Sequence, residues 1–336
     1  MENIQLNKIF KAWHLIVIIL LILLVSIGGI TRLTNSGLSI TKWQLFTGIL
    51  PPLNAEKWNE YFSLYTKIPQ YRELNMGMSL DEFKYIFWWE YIHRLLARIV
   101  GLAYLLPLIF FIIKKHIHKN NFYYYLFISL LFFFQGFLGW FMVSSGLSDN
   151  AEVSHFRLAA HLSVAFLILG LIFWSYLNSN NSDLSISFSW TMRFMIFFLF
   201  LFFVQIVFGA FTSGLDAGLI YQTWPKMNLG FFPEEVTVKS FFSIEIFFDR
   251  GHIQLFHRLN AYLIFVTFLI FYIVNLFSVK KNIFNTNLLM VFLLTQIILG
   301  IVTLTSGVNI YLAALHQLTS VFLMMSILLL IYKVKS

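Results

Sequence analysis

The chain has 336 residues, of which 59% are hydrophobic and only 11% charged, with a mean hydropathy of +0.78. A soluble domain carries about 25% charged residues and could not bury this much apolar surface, so the composition points to an integral membrane protein and excludes disorder, collagen and a disulfide scaffold. Cysteine is absent, which removes disulfides, thiolate catalysis, Cys-ligated zinc and iron–sulfur clusters, and the net charge of +8 must be judged by where it lies.

A membrane span needs about 20 mainly apolar residues. Eight segments qualify: 14–31, 86–113, 122–143, 156–176, 190–212, 253–276, 288–305 and 310–332. They are too long and too evenly apolar for barrel strands, so each is expected to be a helix. The first is read as a retained span and not a cleaved signal. It ends in Gly28-Gly29-Ile30-Thr31-Arg32 without a small-x-small site, and the 13 residues before it leave no room for a transit peptide.

The charges sort by side. Lys8 and Lys11, Lys114, Lys115 and Lys119, Lys280 and Lys281, and Lys333 and Lys335 flank one set of span ends. The short loops 144–155 and 306–309 at the other ends contain no Lys or Arg. By the positive-inside rule both termini are cytoplasmic and the long loops 32–85 and 213–252 lie outside. The basic excess is therefore a topology signal, and nucleic acid drops out as a partner.

The sequence repeats. Gly28-Gly29-Ile30-Thr31, Gly37-Leu38 and Trp43 match Gly209-Ala210-Phe211-Thr212, Gly218-Leu219 and Trp224 at the same spacing. His93-Arg94-Leu95 matches His257-Arg258-Leu259, and Gln135-x-x-x-Gly139 with Ser145-Gly146 matches Gln296-x-x-x-Gly300 with Ser306-Gly307. Leu158-Ala159-Ala160-His161 resembles Leu312-Ala313-Ala314-Leu315-His316. The expected fold is an all-α membrane protein of eight helices, built as two parallel-repeat four-helix bundles, N-in and C-in, with halves 1–178 and 179–336. The small residues near the ends of spans one and five are read as helix packing.

Ionisable groups at membrane depth are costly and usually functional. His93, His161, His257 and His316 each fall in the first turns of an even-numbered span, roughly 6–12 Å below the outer end. Imidazole ligates haem iron, and helix bundles hold cofactors between facing helices. The economical reading is two haem sites near the outer face, His93 with His161 and His257 with His316. Proton relay or substrate binding in a transporter stays open, whereas separate imidazole pairs with one nearby carboxylate do not make good zinc sites. Arg94 and Arg258 each follow a ligand candidate, and Arg157 lies at the outer end of span four. Guanidinium pairs with carboxylate, so these three are candidate partners of haem propionates; a lipid headgroup is the alternative for Arg157. His14, His116, His118, His155 and His252 are not assigned as ligands.

The halves differ at one place. Glu90 stands three residues before His93, and its counterpart before His257 is Gln254. A carboxylate can move protons or stabilise developing positive charge, and glutamine cannot. The first half is thus expected to be chemical and the second to hold a fixed cofactor; an ion pair with Arg94 is the competing role for Glu90. The 54-residue loop 32–85, with six Lys/Arg against five Asp/Glu, is expected to form an ordered cap. With the matching second loop it would cross the outer mouths of the haem pockets, or anchor aromatics at the interface.

The run from Gly28 to Arg32 with Leu33-Thr34 and Ser36-Gly37-Leu38-Ser39-Ile40, the pair Pro51-Pro52, the run from Glu82 to Arg94, and Leu312-Ala313-Ala314-Leu315-His316-Gln317 strongly resemble the haem A synthase family, in its mitochondrial and alphaproteobacterial branch. The resemblance covers nearly the whole chain. It implies oxidation of the C8 methyl of haem O to a formyl group by successive hydroxylations, giving haem A for cytochrome oxidase. It also implies haem b at His257 and His316, and substrate haem O at His93 and His161 beside Glu90. Some bacterial members carry an outer cysteine pair, which this chain lacks. Implied partners are haem O, membrane lipid and an electron acceptor that the sequence does not identify; haem O synthase and a second copy of the chain are further candidates. The implied location is the bacterial inner membrane, multi-pass, with the haem sites toward the periplasm. A quinone-linked dihaem cytochrome b would also use four histidines, but the Glu90/Gln254 difference and the loop motif favour the synthase.

Overall fold

The computed structural model describes residues 2–43, 47–117, 119–147, 151–179, 189–237, 240, 243–278 and 282–335. Lys280 and Lys281 of the charge reading, and His118 of the histidines not assigned as ligands, lie outside the described residues. The described chain forms ten α-helices: α1 (Glu2–Leu33), α2 (Ala55–Tyr65), α3 (Pro69–Glu73), α4 (Leu80–Ile113), α5 (Lys119–Gly146), α6 (His155–Leu177), α7 (Trp190–Gly214), α8 (Arg250–Ser278), α9 (Ile283–Thr305) and α10 (Ile310–Lys335). All but α2 and α3 are long and apolar enough to cross a membrane, and each expected span lies inside one of these eight.

The outward face of these helices is apolar. Phe133 of α5 is 66% exposed and Ile298 of α9 is 59% exposed, with Leu130, Phe137 and Val291 beside them. Apolar helix faces of this kind are unsuited to water and fit a multi-pass membrane protein. The chain divides into two compact units, Met1–Leu169 and Gly170–Ser336.

In the first unit α4 packs along α1 and also meets α2 and α5. Helix α4 begins six residues before the expected span because Ser79 starts a capping box. The Ser79 hydroxyl accepts from the Glu82 amide at 3.3 Å, and the Glu82 carboxylate accepts from the Ser79 amide at 2.7 Å. The ordered cap expected for 32–85 is present as α2, α3 and a buried aromatic cluster of Tyr65, Ile68, Phe83, Ile86, Phe87 and Tyr91 with Leu38 and Val143. Helix α2 is started by Asn54, whose side chain accepts from the Lys57 amide at 2.9 Å. Rings interlock across the joint: Trp58 against Phe87 at 4.9 Å and Tyr65 against Phe83 at 5.2 Å between centroids. Gln70 donates to the Asn35 carbonyl at 3.1 Å and ties the cap back to the end of α1.

In the second unit α9 packs on α10, α7 on α8, and α7 on α10. Polar side chains join helices where water is excluded. Asn260 of α8 donates to the Leu201 carbonyl of α7 at 3.1 Å, and Asn275 of α8 to the Thr286 hydroxyl of α9 at 3.1 Å. The second outer loop has a smaller core of Tyr221, Met227 and Leu255.

Candidate functional site

Each of the four histidines sits against a glycine of the membrane-length helix that precedes its own. A Cβ built on Gly28 of α1 would lie 3.1 Å from Nε2 of His93 on α4, and one on Gly139 of α5 would lie 3.3 Å from Cε1 of His161 on α6. In the second unit a Cβ on Gly209 of α7 would lie 3.3 Å from Cε1 of His257, and one on Gly300 of α9 would lie 3.0 Å from Cε1 of His316. Every other residue type would push the imidazole aside. Gly28 and Gly209, read from the sequence as helix packing, are therefore seats of imidazoles, as are Gly139 and Gly300 of the repeated Gln-x-x-x-Gly spacing, a role that the matching positions in the two repeats could have suggested. Each unit thereby carries two seated imidazoles, His93 and His161 in the first and His257 and His316 in the second.

Glu90 is 2% exposed. Its Oε2 accepts from the Ser39 hydroxyl at 2.7 Å and the Ile40 amide at 2.8 Å, while Oε1 accepts from Arg94 at 2.5 Å. The same guanidinium donates to the Ile40 carbonyl at 3.0 Å and lies 5.1 Å from the Trp43 ring. The competing role weighed from the sequence, an ion pair with Arg94, is thus present. Ser39 and Ile40 were in the loop motif but had no assigned role.

The second unit repeats this arrangement with hydrogen-bond polarity reversed. Gln254, also 2% exposed, donates to the Ala217 and Tyr221 carbonyls at 3.0 and 3.2 Å, where Glu90 accepts from the loop. Arg258 donates to the Tyr221 carbonyl at 2.9 Å, as Arg94 does to Ile40, and to Gln254 Oε1 at 3.2 Å. Tyr221 in turn donates to the Glu235 carboxylate at 2.7 Å. Burial, followed by that carboxylate, pushes the Tyr221 phenol up to about 12, so it remains a donor at neutral pH.

Beside each arginine is a cavity, and the two share helix positions. Trp224, Pro225, Phe231, Phe232, Arg258 and Tyr262 help line one of about 380 Å³ in the second unit; Tyr91, Arg94 and Arg98 help line a smaller one of about 20 Å³ in the first. Arg157 instead donates to the Phe141 carbonyl at 2.6 Å and lies 3.7 Å from the Phe141 ring, joining α6 to the last turns of α5. Two of the unassigned histidines have partners of their own. His252 is held by Asp249 and Ser240, and His14 by the Phe10 carbonyl.

The donors suit a metal already held by a macrocycle. Among the described residues no group of three or more His, Asp or Glu could hold a bare ion. Each unit instead offers two imidazoles, which is what an iron with four porphyrin nitrogens takes from protein. Nδ1 of His161 and of His316 is buried without a hydrogen-bond partner. Such unspent polarity is costly in a protein interior.

Fold and site together define a multi-pass membrane protein with a duplicated, histidine-bearing helix scaffold. Residues 11–328 match the COX15-CtaA family, described as cytochrome oxidase assembly protein, and the chain belongs to that family. It is 50% identical over 331 residues to the haem A synthase of Pelagibacter ubique, covering 97% of this chain and 96% of that one. It is 39% identical over 324 residues to the haem A synthase of Rickettsia felis, covering 95% and 96%. The haem A synthase of Parvibaculum lavamentivorans is 44% identical over 264 residues, 78% of this chain and 77% of that one. The resemblance read from the loop and histidine motifs is borne out.

Proposed function

We propose that the chain is an oxidoreductase that converts haem O to haem A, oxidising the C8 methyl to a formyl group by successive hydroxylations in the first half. The observation that carries this reading is Glu90. It is a buried carboxylate on the helix of one histidine pair, and the equivalent position beside the other pair holds an amide. Residues 1–178 would form the substrate half, with His93 and His161 binding haem O. Residues 179–336 would hold haem b between His257 and His316. Bound haem b supplies one-electron transfer to an acceptor outside the chain.

The chain's own residues bind, orient and move protons. Arg94, Arg157 and Arg258 would pair with propionates, Arg157 turning from the Phe141 carbonyl to do so. Ser39 and the Ile40 amide fix Oε2 of Glu90. Oε1, once Arg94 turns toward a propionate, becomes the atom that takes up the proton released as the C8 methyl is oxidised and passes it on to solvent. The Lys-bearing ends lie on the cytoplasmic side, so the histidines face the periplasmic side of the bacterial inner membrane. Haem O synthase is the natural donor of substrate, and a homo-oligomer is compatible with the exposed helices.

Expression with a source of haem O, followed by pigment extraction and mass analysis, tests the reading. Haem A or a hydroxylated haem is expected, and finding neither would overturn it. Glu90→Ala should abolish product while leaving the resident haem b. His257→Ala should deplete that haem.

A further inference from the structure

Three glutamines sit one helical turn before three of the four seat glycines, on the same helix face: Gln135 before Gly139, Gln205 before Gly209 and Gln296 before Gly300. Each touches the histidine seated there. The Gln135 amide donates to the His161 carbonyl at 3.0 Å, and that of Gln205 to the His257 carbonyl at 3.1 Å, with the His257 ring nitrogens at 3.2 and 3.4 Å. The Gln296 amide nitrogen lies 3.3 Å from Nε2 of His316. The fourth position, one turn before Gly28, is Leu24. His93 alone has no glutamine there.

Two of these pairs also carry matched unspent polarity. Oε1 of Gln135 and of Gln296 is buried without a donor, and so is Nδ1 of the histidine each one touches without a partner. Oε1 is an acceptor and Nδ1 is the donor of an imidazole that uses Nε2 as ligand, so once iron takes Nε2 of His316 the Gln296 amide nitrogen must leave that atom, and the amide can turn its Oε1 to Nδ1. Iron-bound imidazoles almost always donate their second ring N–H, and that bond sets ring orientation and ligand strength. Gln205 differs because its Oε1 already accepts from Asn260 at 2.8 Å, which locks the amide against His257.

We propose that Gln135, Gln205 and Gln296 are positioning residues for the iron ligands, Gln135 and Gln296 by accepting the Nδ1 proton of His161 and His316. We further infer that Leu24, which offers no such amide, leaves His93 as the weaker, exchangeable ligand. Both ligands of the second half would then have an amide against them and only one ligand of the first half would, which would let the first half release a product. This rests on the histidine pairs being haem ligands, as proposed above.

The test uses the full-length protein purified with its haem. In Gln296→Leu the resident haem should pass to apomyoglobin about 10–100-fold faster, the usual effect of losing such a partner. Its midpoint potential should rise, because the imidazole becomes a poorer donor. Gln296→Glu should move the potential the opposite way, which a change in packing alone would not do. Leu24→Gln should slow haem loss from the first half by about tenfold, and Gln135→Leu should speed it. Unchanged transfer rates, or potentials moving together in the Leu and Glu variants, would overturn the proposal. If His316→Ala keeps its haem and its low-spin spectrum, the ligand assignment itself has failed and not the role of the glutamines.

Discussion

Alanine at Gly300 gives the sharpest test of the histidine seats. The added methyl would lie 3.0 Å from Cε1 and 3.5 Å from Nδ1 of His316. Such a contact is tighter than almost any real Cβ makes, so the ring must retreat by a few tenths of an ångström or the helices must part. Helix α10 packs on α9 more extensively than on any other helix, which makes parting difficult. Overpacking of this kind costs about 1–3 kcal/mol. If the strain falls on the haem-bound state, affinity drops by about 5- to 150-fold, since each 1.4 kcal/mol is about tenfold. Gly136→Ala and Gly101→Ala are the controls. They add the same methyl to membrane helices where nothing lies within 4 Å, and they gain up to about 1 kcal/mol of helix propensity. The assay is the haem-to-protein ratio by pyridine haemochrome, with thermal unfolding of each variant. Gly300→Ala retaining as much haem as Gly136→Ala would refute the reasoning.

Glu90→Gln places an amide NH2 against either Arg94 or the Ser39 and Ile40 donors, and it strips the compensating charge from a guanidinium that is 13% exposed. Loss of about 3 kcal/mol from the first unit, together with loss of haem oxidation, is expected by thermal melts and pigment analysis; full activity would contradict the assignment. Gly146→Ala would set a methyl 2.5 Å from Leu38, itself 1% exposed within the cap core. It should lower the melting temperature and increase protease cleavage of loop 32–85. Ser79→Ala removes the capping box and should cost about 1 kcal/mol, read as faster amide exchange over the first turn of α4 with product formation unchanged.

Hydropathy was enough to find the eight spans because a lipid-facing helix needs a long apolar run and little else. Their ends were less legible. Helix α1 runs back to Glu2 and α4 to Leu80, since a helix continues through polar residues until a cap or turn stops it. The four histidines and Glu90 stood out because ionisable groups in apolar runs are conspicuous. Their partners did not. Gly28 and Gly209 looked like generic packing glycines and Gly139 and Gly300 only like part of a repeated spacing, because sequence does not say which side chain faces a missing Cβ. Gln135 and Gln296 were visible as a repeated spacing, but a neutral amide gives no sign of what it bonds. Ser39 and Ile40 reach Glu90 across some fifty residues of chain, a closure set by the aromatic core of the cap and by no local pattern.

The length of α4 has a mechanical consequence. Its 34 residues make a rod of about 51 Å, against a hydrocarbon layer of about 30 Å. The first turns of that rod supply Phe83, Ile86 and Phe87 to the cap core, and the next turns carry Glu90, His93 and Arg94. Cap and site are thus one strut. Swinging the cap open would have to pull apart several fully buried aromatic side chains, each holding about 1.5–3 kcal/mol, and would drag the ends of the Glu90 hydrogen bonds with it. A gate built this way stays shut, so on the function proposed above haem O would have to enter the first unit between its lipid-facing helices.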